Sequence, residues 1–179
     1  MDKFKVVYLH GYGSSAQSNK VLELGKIFDV SAPNIPIKYD DAVELLTTYL
    51  TDLSKESNLI LVGTSLGGYW AGVMSDKLGI PAVLINPSCS PKTTIDRYNN
   101  VELTQTELDK YIPLAPSNLT PKIVLLAKND DVIDYQIAKT LFDPVADVRV
   151  FEDGGHRFND INRIALVIND LNNSNFYLP

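Results

Sequence analysis

The chain holds two histidines, His10 and His156, so any imidazole chemistry must use one of them. The side chain that would need such a base is Ser65, in Gly63-Thr64-Ser65-Leu66-Gly67 with Gly68 behind it. A G-x-S-x-G segment between a strand and a helix makes a sharp, strained turn that lifts the serine hydroxyl above the sheet. Residues two before and two after the serine come close together there, and glycines at 63 and 67 bring no side chains to collide. Ser65 then stands at a helix N-terminus, with the Leu66 N–H directed at a developing oxyanion. A serine hydroxyl is a weak nucleophile unless a base takes its proton. His156, in Glu152-Asp153-Gly154-Gly155-His156, follows the strand-like run Val148 to Phe151. Ligands gather at the carboxyl ends of parallel strands, so Ser65 and His156 are predicted to meet there. An acid to orient the imidazole has three candidates in one cluster, Asp130, Asp131 and Asp134.

His10-Gly11-Tyr12-Gly13 follows the first strand-like run, and a loop at this place can supply a second oxyanion N–H. A rival reading is a dinucleotide fingerprint, because Gly11-x-Gly13-x-x-Ala16 fits G-x-G-x-x-G/A. That fingerprint needs an acidic residue ending the second strand, about twenty residues on. Asp29 instead precedes that strand, which runs on into Ala32-Pro33-Asn34. There is no P-loop and no zinc-type His/Cys spacing. Cys89 is the single cysteine, so no intrachain disulfide forms; a small buried hydrophobe is the role expected of it.

The elements that must position these residues alternate. Strands are predicted at Phe4 to Leu9, Val30 to Ala32, Leu59 to Val62, Ala82 to Ile85, Ile123 to Ala127 and Val148 to Phe151. Helices are predicted at Asn19 to Phe28, Asp40 to Leu53, Leu66 to Leu78, Gln105 to Tyr111, Tyr135 to Phe142 and Asn159 to Leu171. Asp40 or Asp41, Thr104 and Asp134 are the expected N-caps, and Gly79 a stop signal. Strands separated by helices imply successive βαβ units and a mostly parallel sheet covered on both faces. The continuously apolar strands agree, since a strand buried on both faces does not alternate. The stretch from Ser88 to Pro121 breaks the rhythm with Pro91, Pro113, Pro116 and Pro121. It is predicted to be a lid-like insertion within one domain spanning residues 1–179.

Composition narrows the function classes. The chain has 179 residues, 45% of them hydrophobic and 21% charged, which suits one globular domain. Sixteen basic against twenty-two acidic residues give a net charge of −6, the wrong sign for non-specific nucleic-acid binding. No stretch is long and apolar enough for a membrane span, and none reads as a signal peptide or a basic amphipathic surface helix. A soluble, cytoplasmic protein is expected.

Together the motifs resemble a family. Tyr8-Leu9-His10-Gly11-Tyr12-x-Ser14-Ser15, Gly63-Thr64-Ser65-Leu66-Gly67-Gly68-Tyr69, Ile85-Asn86-Pro87, Asp130-Asp131-Val132-Ile133-Asp134-Tyr135 and Gly154-Gly155-His156-x-Phe158 look like the small YqiA-like esterases of the α/β-hydrolase superfamily. The order Ser, Asp, His is also that superfamily's order. The resemblance covers nearly the whole chain. It implies a compact α/β-hydrolase of about six strands in the order 2-1-3-4-5-6. It also implies a cofactor-free serine hydrolase acting on a small-molecule acyl ester or thioester, with Ser65 as nucleophile, His156 as base and Asp130 as acid. Asp130 comes two residues past Lys128, where a side chain still reaches across the sheet top; Asp131 is expected to face solvent. Leu66 and Tyr12 would supply the oxyanion N–H groups. His10, Gly11, Tyr98, Tyr111 and Ile112 are the expected substrate contacts, the last three from the lid. Two positions depart from the family pattern. Asn129 stands where glycine is frequent, and there asparagine's tolerance of left-handed backbone would preserve the turn. Gly155 stands where asparagine is frequent, which predicts a more mobile histidine loop. The rival from another class is a non-catalytic binding or interaction protein on the same scaffold, and a second alternative keeps the triad and changes the bond, to a thioester or an amide.

Overall fold

The computed structural model describes residues 4–96 and 103–174. Six parallel strands, β1 (Phe4–Leu9), β2 (Val30–Ser31), β3 (Asn58–Thr64), β4 (Ala82–Ile85), β5 (Lys122–Ala127) and β6 (Asp147–Phe151), form one sheet in the order β2-β1-β3-β4-β5-β6. This is the predicted order. The centre is β1 against β3, in register from Phe4 opposite Asn58 to Leu9 opposite Gly63. Around the sheet lie α1 (Asn19–Leu24), α2 (Tyr39–Ser54), α3 (Leu66–Leu78), α4 (Pro91–Asp96), α5 (Gln105–Leu108), α6 (Tyr135–Phe142) and α7 (Ile161–Asn173).

The period of two along each strand explains the two cores. Val7, Leu9, Leu61 and Leu84 face one side, with Leu46 and Leu50 of α2, Trp70 of α3 and Phe142 of α6. Val6, Tyr8, Ile60, Val62 and Val83 face the other, with Leu24 of α1 and Ile164 and Ile168 of α7. Both neighbouring sets are buried, so the strands read as continuous apolar runs. Helix α3 starts at the sheet centre and is buried on nearly every side, from Leu66 through Ser75. Gly79 ends it in left-handed geometry, φ 70°, where a glycine carries no Cβ penalty. No helix among the described residues is long and apolar enough to cross a membrane.

Several expected boundaries shift for local reasons. Helix α1 stops at Leu24 rather than Phe28, because the chain turns at Gly25 and leaves Ile27 half exposed. Helix α2 has Lys38 at its N-cap, so Asp40 and Asp41 fall in the first turn, where carboxylates face the positive helix end. Helix α7 starts at Ile161, because Asp160 accepts from the Arg163 N–H at 3.0 Å and caps it there. Asp134 caps α6 as expected, accepting from the Gln136 N–H at 2.9 Å.

The segment from Ser88 to Pro121 is less of an excursion than its prolines imply. It contains α4, which the sequence reading missed, and α5, shorter than expected and held by a capping box between Thr104 and Glu107. Ile95, Leu108, Tyr111 and Leu114 are buried in the core that covers Trp70. Those parts of the segment are packed against the domain.

Candidate active site

The strand-to-helix turn between β3 and α3 holds Ser65 at φ 57° and ψ −119°, a backbone conformation that only a strongly constrained non-glycine residue keeps. The constraint is steric. A Cβ at Gly63 would lie 2.1 Å from the Gly67 carbonyl oxygen, and one at Gly67 would lie 1.9 Å from the Leu9 carbonyl oxygen. The turn closes only with glycine at both positions. Its backbone is tied on both sides: the Ser65 N–H donates to the Ile85 carbonyl at 3.0 Å, and the Ser65 carbonyl accepts from the Ser88 N–H at 3.0 Å.

His156 stands across the sheet top, in the loop after β6. Its Nε2 is 3.1 Å from Ser65 Oγ, and its Nδ1 is 2.9 Å and 3.0 Å from the two carboxylate oxygens of Asp130. Asp130 Oδ1 also accepts from the Val132 N–H at 2.8 Å and the Ile133 N–H at 2.9 Å. The Val132 N–H, the Ile133 N–H and the His156 ring thus all face this carboxylate as donors. With Nδ1–H directed at Asp130, Nε2 is left as the acceptor for the Ser65 hydroxyl. The Asp130 side chain is 1% exposed and that of His156 16%. Water reaches the ring but not the carboxylate behind it. Asp131 is exposed, as expected.

The first loop packs against Ser65. A Cβ at Gly11 would lie 3.5 Å from Ser65 Cβ and 3.1 Å from the Thr64 carbonyl oxygen, so the chain passes Ser65 at close range. His10 lines the cavity beside this loop, with both ring nitrogens engaged by the protein's own backbone. It is 8% exposed, with Nδ1 2.9 Å from the Gly11 carbonyl and Nε2 accepting from the Ile35 N–H at 3.0 Å. The second contact makes Nε2 the acceptor and Nδ1 the donor. The bond to the Gly11 carbonyl orients the peptide unit whose other end is the Tyr12 N–H. Beside this loop is a cavity of about 120 Å³, walled by Tyr12, Ile35, Ile37, Leu66 and Trp70.

The lid contacts are not brought together. Tyr111 is 2% exposed, its hydroxyl donates to the Ile37 carbonyl at 2.7 Å, and its ring meets Tyr39 edge-on at 5.2 Å. It supports the cavity wall from behind. Ile112 is 63% exposed, and Tyr98 lies outside the described residues. Cys89 is buried, which pushes its thiol up to about 12 and makes it the inert hydrophobe expected.

The histidine loop differs from expectation. It has glycines at φ 124° and 57°, Gly154 and Gly155, but it is held from outside. Asn86, at the end of β4 with φ 41°, donates from Nδ2 to the Gly155 carbonyl at 2.9 Å and the His156 carbonyl at 3.1 Å. Its Oδ1 accepts from the Ala127 N–H at 2.9 Å. Asn129 Oδ1 accepts from the Gly155 N–H at 2.8 Å. Asn129 thus serves through its side chain, and its own backbone is not left-handed. Phe158, fully buried, anchors the far end. Nothing local in the sequence signals this role of Asn86, because its partners lie 41 to 70 positions away.

The family model described as uncharacterised protein family UPF0227 matches residues 5–172. The chain belongs to the UPF0227 family. A UPF0227 protein of Vibrio parahaemolyticus is 27% identical over 181 residues, covering 94% of this chain and 99% of its own. The UPF0227 protein YcfP of Salmonella arizonae is also 27% identical, over 87% of this chain and 92% of its own. Among solved structures, mouse alpha/beta hydrolase domain-containing protein 10 superposes with a TM-score of 0.76 at 15% identity, over 93% of this chain and 88% of its own. The Pyrococcus furiosus esterase Pf2001 superposes with a TM-score of 0.70 at 17% identity, over 95% and 82%. These likenesses establish the α/β-hydrolase fold for this UPF0227 member.

Proposed function

We propose that the protein is a serine hydrolase that cleaves carboxylic esters, thioesters included, through an acyl-enzyme. The observation that carries this reading is the unbroken chain from Ser65 Oγ through the His156 ring to the buried Asp130 carboxylate, each link at 2.9 to 3.1 Å. In the reaction, Ser65 Oγ attacks the acyl carbonyl while His156 Nε2 takes its proton. Asp130 fixes the ring tautomer and stabilises the imidazolium that forms. The Leu66 and Tyr12 N–H groups receive the oxyanion, the first at the start of α3 and the second on the peptide oriented by His10. His156 then protonates the leaving alkoxide or thiolate, and a water activated by the same nitrogen frees the acid. No cofactor enters this sequence.

The cavity of about 120 Å³ against Gly11 and Leu66 supports a short apolar acyl group, having room for about four water-sized units. The test is labelling with a fluorophosphonate, followed by hydrolysis of acetyl, butyryl and longer nitrophenyl esters beside acyl-CoA thioesters. Single labelling at Ser65, and loss of nearly all turnover in folded Ser65→Ala, are the expected results. Folded protein that takes no label would make the chain a binding protein on a hydrolase scaffold.

A further inference from the structure

Among the described residues the buried lysines are Lys20 and Lys122. Lys122 has a counter-ion, Asp76, at 2.5 Å. Lys20 has none. It sits on α1, 9% exposed, and its ammonium donates to Thr64 Oγ1 at 3.3 Å and to the backbone carbonyl of Arg157. Thr64 also meets the Tyr8 hydroxyl at 3.0 Å, so β1, β3 and α1 join at one hydroxyl. Burial, with the Arg157 charge adding to it, pushes the Lys20 ammonium down to about 8. A buried cation without a carboxylate is a poor way to fill space, since an apolar side chain of that length would avoid its desolvation.

What the ammonium touches gives the reason. Thr64 immediately precedes Ser65 in the strained turn, and Arg157 immediately follows His156. The two contacts therefore bridge the Thr64 side chain, next to Ser65, and the backbone next to His156, across the pair that stands 3.1 Å apart. Asn86 holds the two preceding carbonyls of that loop, Gly155 and His156, so Lys20 takes the third in succession. We propose that Lys20 is a positioning residue that ties the loop carrying His156 to the strand end carrying Ser65. This inference rests on the serine-hydrolase reading above. Lys20 touches no reacting atom; it acts through the separation of the two that do.

The experiment compares the unvaried protein, Lys20→Met, Thr64→Val and the double variant. Methionine keeps the shape of the lysine stem and removes the ammonium, so the fold survives. Expected in Lys20→Met are a kcat lower by on the order of 10- to 100-fold with KM within about twofold, as a base displaced by a fraction of an ångström would give. Fluorophosphonate labelling of Ser65 should slow in parallel. Amide exchange at Gly155 to Phe158 should quicken about tenfold while the sheet amides keep their rates, the sign of a local rather than global opening. Thr64→Val should lose part of the same kcat, and should lose nothing further on top of Lys20→Met. A folded Lys20→Met with unchanged kcat or unchanged loop exchange overturns the proposal. Failure of the underlying reading looks different, because then the unvaried protein itself takes no label at Ser65.

Discussion

Replacing Asn86 with aspartate tests how the base is held, because it changes one atom and no shape. Asn86 is 1% exposed. In Asn86→Asp one oxygen can still accept from the Ala127 N–H, which stands 2.9 Å from Oδ1. The other oxygen now faces the Gly155 and His156 carbonyls, where the amide nitrogen stood 2.9 and 3.1 Å away. An anion there would be repelled by both and stripped of water. The variant escapes by taking up a proton, since a carboxylic acid can donate to one of the two carbonyls. Holding an ordinary aspartate protonated near pH 7 costs about 4 kcal/mol, at 1.36 kcal/mol for each of roughly three pH units above its unfolded pKa. The second carbonyl, left without its donor, adds about 1 kcal/mol. The total near neutrality is therefore about 5 kcal/mol, a large share of a domain's stability. Because the folded pKa is raised above the unfolded one, the unfolded chain loses the proton first. Below about pH 4 only the roughly 1 kcal/mol of the unpaired carbonyl remains, and the penalty grows by about 1.4 kcal/mol per pH unit above that. Asn86→Ala should instead lose three hydrogen bonds, about 3 kcal/mol in all, with no such slope. Urea melts of both variants and the unvaried protein between about pH 4 and 7 measure this, with Ser65 labelling rates, each taken relative to the unvaried protein, reporting the site. An Asn86→Asp difference that stays flat over that range would refute the reasoning, since the carbonyls would then not be what the side chain faces.

Other outcomes follow from the same geometry. Asp130→Asn should keep the fold and lower kcat by on the order of 10³ to 10⁴, measured on nitrophenyl esters, because the imidazole loses its orienting anion. Asp134→Ala should instead lower stability by about 1 kcal/mol in a melt and leave turnover largely intact, since its carboxylate caps α6. Tyr111→Ala should cost about 3 to 5 kcal/mol, as a buried aromatic does, whereas exposed Ile112→Ala should stay within about 0.5 kcal/mol; thermal melts separate them. Lys20, lowered to about 8 by burial, is protonated longer in the unfolded chain as pH rises, so stability should increase between about pH 8 and 10.4 by roughly 3 kcal/mol. Denaturation across that range should show the slope in the unvaried protein and its loss in Lys20→Met.

Much of the fold was legible because its strands are buried on both faces and its turns have chemical signatures. FKVVYL and AVLI are continuous apolar runs cut by His10-Gly11 and Asn86-Pro87, and β1 and β4 have those ends. The strand-to-helix turn at Ser65 was legible because only glycine fits at 63 and 67. Helix α4 was not, since Pro91-Lys92-Thr93-Thr94 carries no apolar period and its fold comes from packing Ile95 inward. The hydrogen bonding of His10 was not legible for a related reason: nothing local announces that the Ile35 N–H will occupy its ring. Asn86 and Lys20 lay hidden because their partners are as far as 70 and 137 positions away. Lys20 did leave a trace. It stands four residues before Leu24, on the apolar face of α1, where a lysine is out of place unless something receives it.

The two halves of the site are held by different physics. Ser65 is fixed by sterics: the backbones of β1, β3 and α3 meet so closely that a single methyl group at Gly63 or Gly67 cannot enter. That half is all or nothing, because the turn either closes or the strand end is displaced. His156 sits on a loop with two left-handed glycines, whose backbone freedom is large in the unfolded chain and not restrained by their own side chains. Its position comes from polar side chains of other elements, Asn86 and Asn129 at strand ends and Lys20 on α1. Each such bond adds about 1 kcal/mol, so the base can be loosened in steps while the sheet stays intact. Substitutions at Gly63 or Gly67 should therefore abolish activity together with the fold of the turn. Substitutions around the histidine loop should grade activity while the turn at Ser65 keeps its shape, and the depth of the grading should follow how many of the three successive carbonyls at 155, 156 and 157 remain held.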